Sequence, residues 1–144
     1  MVMVGRRKKA WRRGTTTVEA AMVFPLLILL TLGALRYGWL FLKAQHITNA
    51  ARMGARTAVL PDATVTGVQA AIDALMTAGD MGASGYSVSI TPADISSLEV
   101  GDPLTVRITV PCANIDIMHV PLFTDLEPAN WNLGAQVTMA KEGF

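Results

Sequence analysis

The stretch RRGTTTVEAAMVFPLLILL, Arg12–Leu30, decides the architecture of this chain because it joins a basic segment to a long apolar run. Ala20–Leu35 contains sixteen consecutive residues without a charge. As an α-helix this run measures about 24 Å, against roughly 30 Å for the hydrocarbon core of a bilayer. Its composition therefore predicts a membrane anchor. Glu19 stands at the entrance of the run, where a carboxylate costs on the order of 3 kcal/mol and usually marks function.

The apolar character continues past Arg36, so the predicted membrane span is Val18–Leu42. A long arginine side chain can reach out of the hydrocarbon, and we expect Arg36 to extend to the lipid headgroups. Tyr37 and Trp39 suit the aromatic belt at the same interface. Pro25 lies inside the span, where it removes one backbone hydrogen bond and predicts a kink that neighbouring helices can cover.

Charge is divided sharply between the two ends of the chain. Residues 1–13 hold six of the twelve basic residues and none of the eleven acidic ones. Basic residues directly before an apolar run favour a cytoplasmic N-terminus, so the C-terminal part is expected outside the membrane. A secretory signal peptide is the alternative, but no small-x-small cleavage site follows the run. Neither aromatic interleaving nor a recognition helix accompanies the basic residues, so nucleic acid is not an expected partner.

The N-terminal residues resemble the processing site of type IV prepilins. That site has a basic leader, a glycine before the cut and a glutamate as fifth residue of the mature chain, here Gly14, Thr15 as the first mature residue, and Glu19. The resemblance implies that a prepilin peptidase removes residues 1–14. Glu19 would then meet the new amino terminus of a neighbouring subunit, which neutralises both charges inside an apolar bundle and sets the axial register. The alternative is a glutamate that merely stabilises the helix N-terminus.

A second motif makes the resemblance more specific. NAARMGAR, Asn49–Arg56, follows the span, and together with RRG and the glutamate it resembles the TadE-like family, minor pilins or pseudopilins of the tight-adherence (Flp) pilus system. The stretches GDPLTVRITVP and VTMAKE are also similar to TadE-like chains. Two positions depart from the pattern: Ala20 replaces a phenylalanine, and Arg36 stands where members often carry glutamate. The juxtamembrane residues that the motif singles out are Asn49, Arg52, Gly54 and Arg56.

The external part is predicted to be α+β and pilin-like. Helix is expected from Thr15 to Leu60, since Pro61 cannot continue it. Beyond the membrane this helix carries a narrow stripe of small or apolar side chains that would let another element approach closely: Ala44, Ile47, Ala51, Gly54 and Ala58. A short second helix has apolar positions at Val65, Val68, Ile72, Leu75 and Met76 and ends at Gly79.

Three segments of alternating apolar residues follow and predict a small antiparallel sheet with one face on the helices. They run from Tyr86 to Ile90, from Leu104 to Val110 and from Leu133 to Met139. Between the last two lies a long, proline-bracketed loop in which we expect a short strand at Asn114–Ile117. A long loop in a compact domain is often functional, which makes this one a candidate partner surface.

No set of residues points to catalysis or to a metal. His46 and His119 are far apart in the sequence, and they do not form a ligand spacing with the single cysteine, Cys112. Cys112 is expected to be a small buried hydrophobe. We therefore expect no enzyme activity, no cofactor, no metal and no small-molecule substrate.

The predicted organisation is a cleaved leader at 1–14, a transmembrane helix at 15–42 and an extracytoplasmic domain at 43–144. The resemblance implies a subunit of the cytoplasmic membrane that assists pilus assembly or adhesion. Its partners would be the prepilin peptidase, other pilin subunits, the assembly platform and the lipid bilayer. The alternative function is a permanently anchored binding or sensor domain that never assembles, in which Glu19→Ala would leave function intact.

Overall fold

The computed structural model describes residues 11–116 and 131–143, with the backbone alone for residues 11–15. The chain forms two compact units, Met1–Leu35 and Arg36–Phe144. The elements are helices α1 (Trp11–Ala58) and α2 (Val65–Ala78) and strands β1 (Ser87–Thr91), β2 (Pro103–Pro111) and β3 (Asn132–Ala140). The predicted α+β class, with a long apolar N-terminal helix, a short second helix and a three-stranded antiparallel sheet, is confirmed.

Helix α1 is longer than the sequence predicts at its start and slightly shorter at its end. It begins at Trp11, continues through Pro25 and ends at Ala58, three residues before Pro61. Lys141 holds the turn that follows the helix, since its Nζ donates to the Leu60 carbonyl at 2.8 Å. A buried ammonium at this end also complements the negative pole of the helix.

Helix α2 forms as predicted because its sequence carries both a cap and an apolar face. The Thr64 hydroxyl accepts a hydrogen bond from the Gly67 N–H at 3.1 Å, and Gly79 closes the C-terminal end. The face made by Val68, Ile72 and Met76 is fully buried. Val65 is the exception to the predicted face, since it is half-exposed at the first turn.

The sheet has the order β1-β2-β3 with β2 in the centre, and both pairings are antiparallel. Its inner face is the centre of the core, and four β2 side chains there are completely buried: Leu104, Val106, Ile108 and Val110. The outer face is polar, and the hydroxyls of Thr105 and Thr138 bond each other across β2 and β3 at 2.7 Å.

Gly54 shows why the stripe of small residues on α1 is needed. A Cβ at this position would lie 2.7 Å from the Ile72 side chain of α2 and 3.5 Å from Val106 of β2. Ile47, Ala51 and Ala58 of the predicted stripe are also fully buried. The expectation that another element approaches α1 closely along this stripe is therefore confirmed.

Tyr86, just before β1, is tied to α2 by its phenol, which donates to the Asp73 carboxylate at 2.5 Å. Partial burial, together with this bond to a negative group, raises the pKa of Tyr86 to about 12. The phenol therefore stays protonated, and remains a donor, over the whole physiological range.

The strand expected at Asn114–Ile117 is wrong over the residues described. Cys112–Asn114 is a turn of 3₁₀ helix, and the N–H groups of Ile115 and Asp116 both return to the Cys112 carbonyl at 3.1 Å. These bonds curl the backbone and exclude an extended conformation. Cys112 itself is buried and free of any disulfide, as predicted. Most of the long loop, residues 117–130 including His119, lies outside the described part of the chain.

Candidate membrane and assembly surface of α1

The N-terminal unit exposes an unusual density of large apolar side chains. Along α1 the exposed set is Val18, Met22, Val23, Phe24, Leu26, Leu27, Ile28, Leu29, Leu30 and Leu35. Contiguous apolar exposure on this scale marks a surface that is covered by lipid or by another protein. The helix is long and apolar enough to cross a membrane. The polar group of Thr31 is satisfied within the helix, because its hydroxyl donates to the Leu27 carbonyl at 2.8 Å.

Glu19 is exposed near the start of this apolar surface. Among the described side chains, none forms a hydrogen bond or an ion pair with its carboxylate. Gly14 and Thr15 lie within the helical backbone of α1, five and four residues before it. Processing at Gly14, the role of Glu19 and a kink at Pro25 stay predictions.

The Asn49–Arg56 motif divides into two faces of the helix. Its small residues are buried against the domain, namely Ala50, Ala51, Gly54 and Ala55. Its polar residues, Asn49, Arg52 and Arg56, are exposed on the other side. The motif therefore combines a packing surface, which holds α2 and the sheet, with an exposed surface that carries two arginines one turn apart.

Arg36 does not extend to the headgroups as expected. Its side chain is only 2% exposed, and its Nη2 and Nε lie 2.7 and 3.0 Å from Oδ2 of Asp116. The guanidinium lies on the same helix face as Leu40 and Ile47, so it turns into the domain, where a carboxylate satisfies its charge. The residue that departs from the family pattern thus has an intramolecular partner.

Trp39 and Lys43 attach the same helix face to two further segments. The Trp39 indole N–H donates to the Ile115 carbonyl at 3.0 Å. The Lys43 Nζ donates to the Gly79 carbonyl at 2.8 Å and lies 4.7 Å from the centre of the Trp39 ring. Gly79 closes α2, so the ammonium also complements the negative end of that helix. Trp39 is therefore held by the domain, while Tyr37 is exposed, as a residue of an aromatic belt would be.

These three anchoring residues, Arg36, Trp39 and Lys43, were missed as a group by the sequence reasoning. Their spacing of three and four places them on one helix face, and this signal was available in the sequence. The partners of Arg36 and Trp39 could not be predicted from the sequence, because Asp116 and Ile115 lie in a stretch without regular periodicity.

No three His, Cys, Asp or Glu side chains cluster within residues 11–116 and 131–143 in a way that could hold a metal. A shallow polar depression of about 360 Å³ lies on the outer face of the sheet, lined by Arg107, Thr109, Asn132, Gly134, Ala135 and Gln136. Its lining contains one charged group and no acid–base pair.

Comparison with known proteins gives one finding. Residues 14–56 match the family model of TadE-like proteins. No curated protein and no solved structure matches the chain. The matched segment contains Gly14, Glu19 and the Asn49–Arg56 motif, while the basic residues before Gly14 lie outside it.

The TadE-like family is that of tight-adherence (Tad) pilus systems, so residues 14–56 resemble a segment of proteins associated with such systems. Residues 14–56 are thus similar to TadE-like proteins, and they lie in an N-terminal helix that is long and apolar enough to cross a membrane.

Proposed function

We propose that this protein is a minor pilin or pseudopilin that a prepilin peptidase cleaves after Gly14. In this proposal α1 spans the cytoplasmic membrane with its N-terminus in the cytoplasm, and the domain of residues 43–144 lies outside. The mature subunit then assists assembly or adhesion of a tight-adherence pilus. It acts as a structural subunit without catalytic activity, and its partners are the peptidase, other pilin subunits and the assembly platform.

The observation that supports this proposal best is the exposed Glu19 in an exposed apolar surface. A carboxylate without a partner at this depth is unfavourable in lipid, whereas a paired one is tolerated. Cleavage after Gly14 would create an α-amino group at Thr15 with a pKa near 8, mostly charged at neutral pH. That amine on a neighbouring subunit is a chemically suitable partner, and a wrong axial stagger would leave both charges unpaired.

Cleavage is tested by intact mass and N-terminal sequencing of the protein extracted from membranes with and without the peptidase. The expected mature chain starts at Thr15 only when the peptidase is present. A chain that keeps residues 1–14 under both conditions would leave a simple signal anchor, which is the alternative of a permanently anchored binding or sensor domain.

The role of Glu19 is tested separately with Glu19→Ala and Glu19→Gln, and with Met22→Ala as the matched control. Met22 is also exposed on the same helix but carries no charge. Both glutamate variants should insert into the membrane and be processed, yet fail to enter the pilus fraction. Normal incorporation of Glu19→Ala would refute the assembly role, whereas an equal loss in Met22→Ala would assign the defect to packing.

A further inference from the structure

Helix α1 presents two chemically different faces at the start of the compact unit Arg36–Phe144. One face carries the anchoring residues and turns toward the domain. The other exposes Tyr37, Gly38, Phe41 and Leu42, which we call the apolar ridge. Phe41 is 68% exposed and Tyr37 55%. A Cβ on Gly38 would meet no atom within 4 Å, so the described domain leaves this side of the helix open.

The exposed face of α1 changes character one turn beyond the ridge. Its next members are mostly polar and exposed, namely Gln45, Asn49, Arg52 and Arg56, with Met53 as an exposed apolar exception. The change from apolar to polar falls between Leu42 and Gln45, three residues or about 4.5 Å along the helix axis. An abrupt change of this kind on one continuous face marks the position where the surroundings become water.

The length of the apolar run leads to the same position. Ala20–Leu35 covers about 24 Å, which is roughly 6 Å short of the hydrocarbon core. Continuation to Leu42 gives about 35 Å, enough for a span with some tilt. The residues that supply the missing length are those of the apolar ridge, which already belong to the compact unit.

We propose that the apolar ridge lies in the outer leaflet of the bilayer, so that the domain is partly sunk into the membrane surface. The inference rests on the proposed membrane span. The domain overlaps the embedded part of α1 by the distance from Arg36 to Leu42, about 9 Å. The segment Cys112–Asp116, which Arg36 and Trp39 hold against α1, then lies in the outer leaflet as well.

The burial of Arg36 agrees with this depth. An arginine near hydrocarbon is favourable only when its charge is satisfied, and Asp116 does so from inside the domain. Lipid is the favoured occupant because only Arg36 separates the ridge from the apolar run of the span, and the Arg36 side chain turns into the domain. The ridge also ends where the exposed side chains become mainly polar.

The test measures the depth of nitroxide labels on full-length protein in phosphatidylcholine–phosphatidylglycerol vesicles at a high lipid-to-protein ratio. Single cysteines are placed at Leu27, Phe41 and Asn49 for the helix, and at Ala113 and Val100 for the domain. Ala113 and Val100 are both exposed. Val100 precedes Gly101, whose N–H donates to the Lys141 carbonyl, and Lys141 bonds Leu60 just beyond the far end of α1. Val100 therefore marks the end of the domain away from the proposed membrane contact. Cys112 is buried, so the unmodified chain labelled in parallel gives the background.

Collisions with oxygen report lipid, and collisions with a water-soluble nickel chelate report solvent. The ratio of oxygen to nickel collisions should be several-fold higher at Phe41 than at Asn49, and higher at Ala113 than at Val100. A Phe41 label as accessible to nickel as the Asn49 label would overturn the inference while the Leu27 label still confirms the span. A Leu27 label in water would refute the span itself. Dipolar broadening of the Phe41 signal would assign the ridge to a second copy and also overturn the proposal.

Discussion

The contact between Arg36 and Asp116 gives the sharpest prediction for stability. Arg36 is 2% exposed and Asp116 14%, and the bonds from Nε and Nη2 of Arg36 converge on one carboxylate oxygen. Removal of one partner of a buried pair costs about 3–5 kcal/mol, because the other charge stays buried without compensation. Because Asp116 is partly exposed, we expect Asp116→Asn to lower the free energy of unfolding by about 3 kcal/mol, the lower end of this range.

The complementary variant should be milder. Arg36→Met keeps an apolar chain of similar length on the buried helix face and leaves Asp116, which can hydrate through its exposed edge. We expect a loss of about 1–2 kcal/mol. The double variant removes both charges and should lose less than the sum of the single changes, with a coupling of about 2 kcal/mol.

The assay is thermal unfolding of the full chain in detergent micelles, followed by the fluorescence of its three tryptophans, of which Trp39 bonds the residue next to Asp116. For a domain of about a hundred residues, 3 kcal/mol corresponds to a fall in Tm on the order of 10 °C. Additive single changes, or a shift of only 1–2 °C in Asp116→Asn, would show that the pair does not stabilise the domain.

The other predictions concern packing, helix ends and pH. Gly54→Ala should lower the stability by about 1–3 kcal/mol in the same unfolding assay, because its Cβ would meet the Ile72 side chain, and it should become nearly neutral in an Ile72→Ala background. Lys141→Met keeps the buried stem but removes the ammonium from the end of α1, so we expect a loss of about 1–2 kcal/mol, while Lys141→Arg should lose less. In a Tyr37→Phe background, the ultraviolet band of tyrosinate should appear near pH 12, since the pKa of Tyr86 is raised to about 12. Because the pKa is raised on folding, the protonated Tyr86 phenol stabilises the fold fully below the ordinary tyrosine pKa of about 10, and this stabilisation is lost as the pH rises toward 12. A Tyr86 phenol that titrates near 10 in the folded chain would contradict the described contact with Asp73.

Most of the fold was predictable because periodicity reports which residues are buried. The alternation around Val106 and the stripe that contains Gly54 identify the two surfaces that meet in the core. What periodicity cannot report is a contact made by an irregular segment. Asp116 lies in such a segment. The sequence neighbours of Arg36 therefore predicted a side chain at the lipid headgroups, whereas the side chain is buried against Asp116.

The match to the family model was predictable for a different reason. Gly14, Glu19 and the Asn49–Arg56 motif form a recognisable pattern of residue types and spacings, so the sequence was enough to indicate the family. The division of that motif into a packing face and an exposed face needed the structure, because adjacent residues of a helix point in different directions.

The position of Lys141 has a consequence for the order in which the domain can form. Its N–H bonds the Asp102 carbonyl, the Glu142 N–H bonds the Val59 carbonyl, and β3 pairs along the whole of β2. Residues about eighty positions apart in the chain therefore meet at the end of α1. Contacts of such separation form late, after the local helices. If the C-terminal part is exported, the packing stripe of α1 stays uncovered until residue 141 has crossed the membrane. During that interval a chaperone or a protease can bind the exposed stripe.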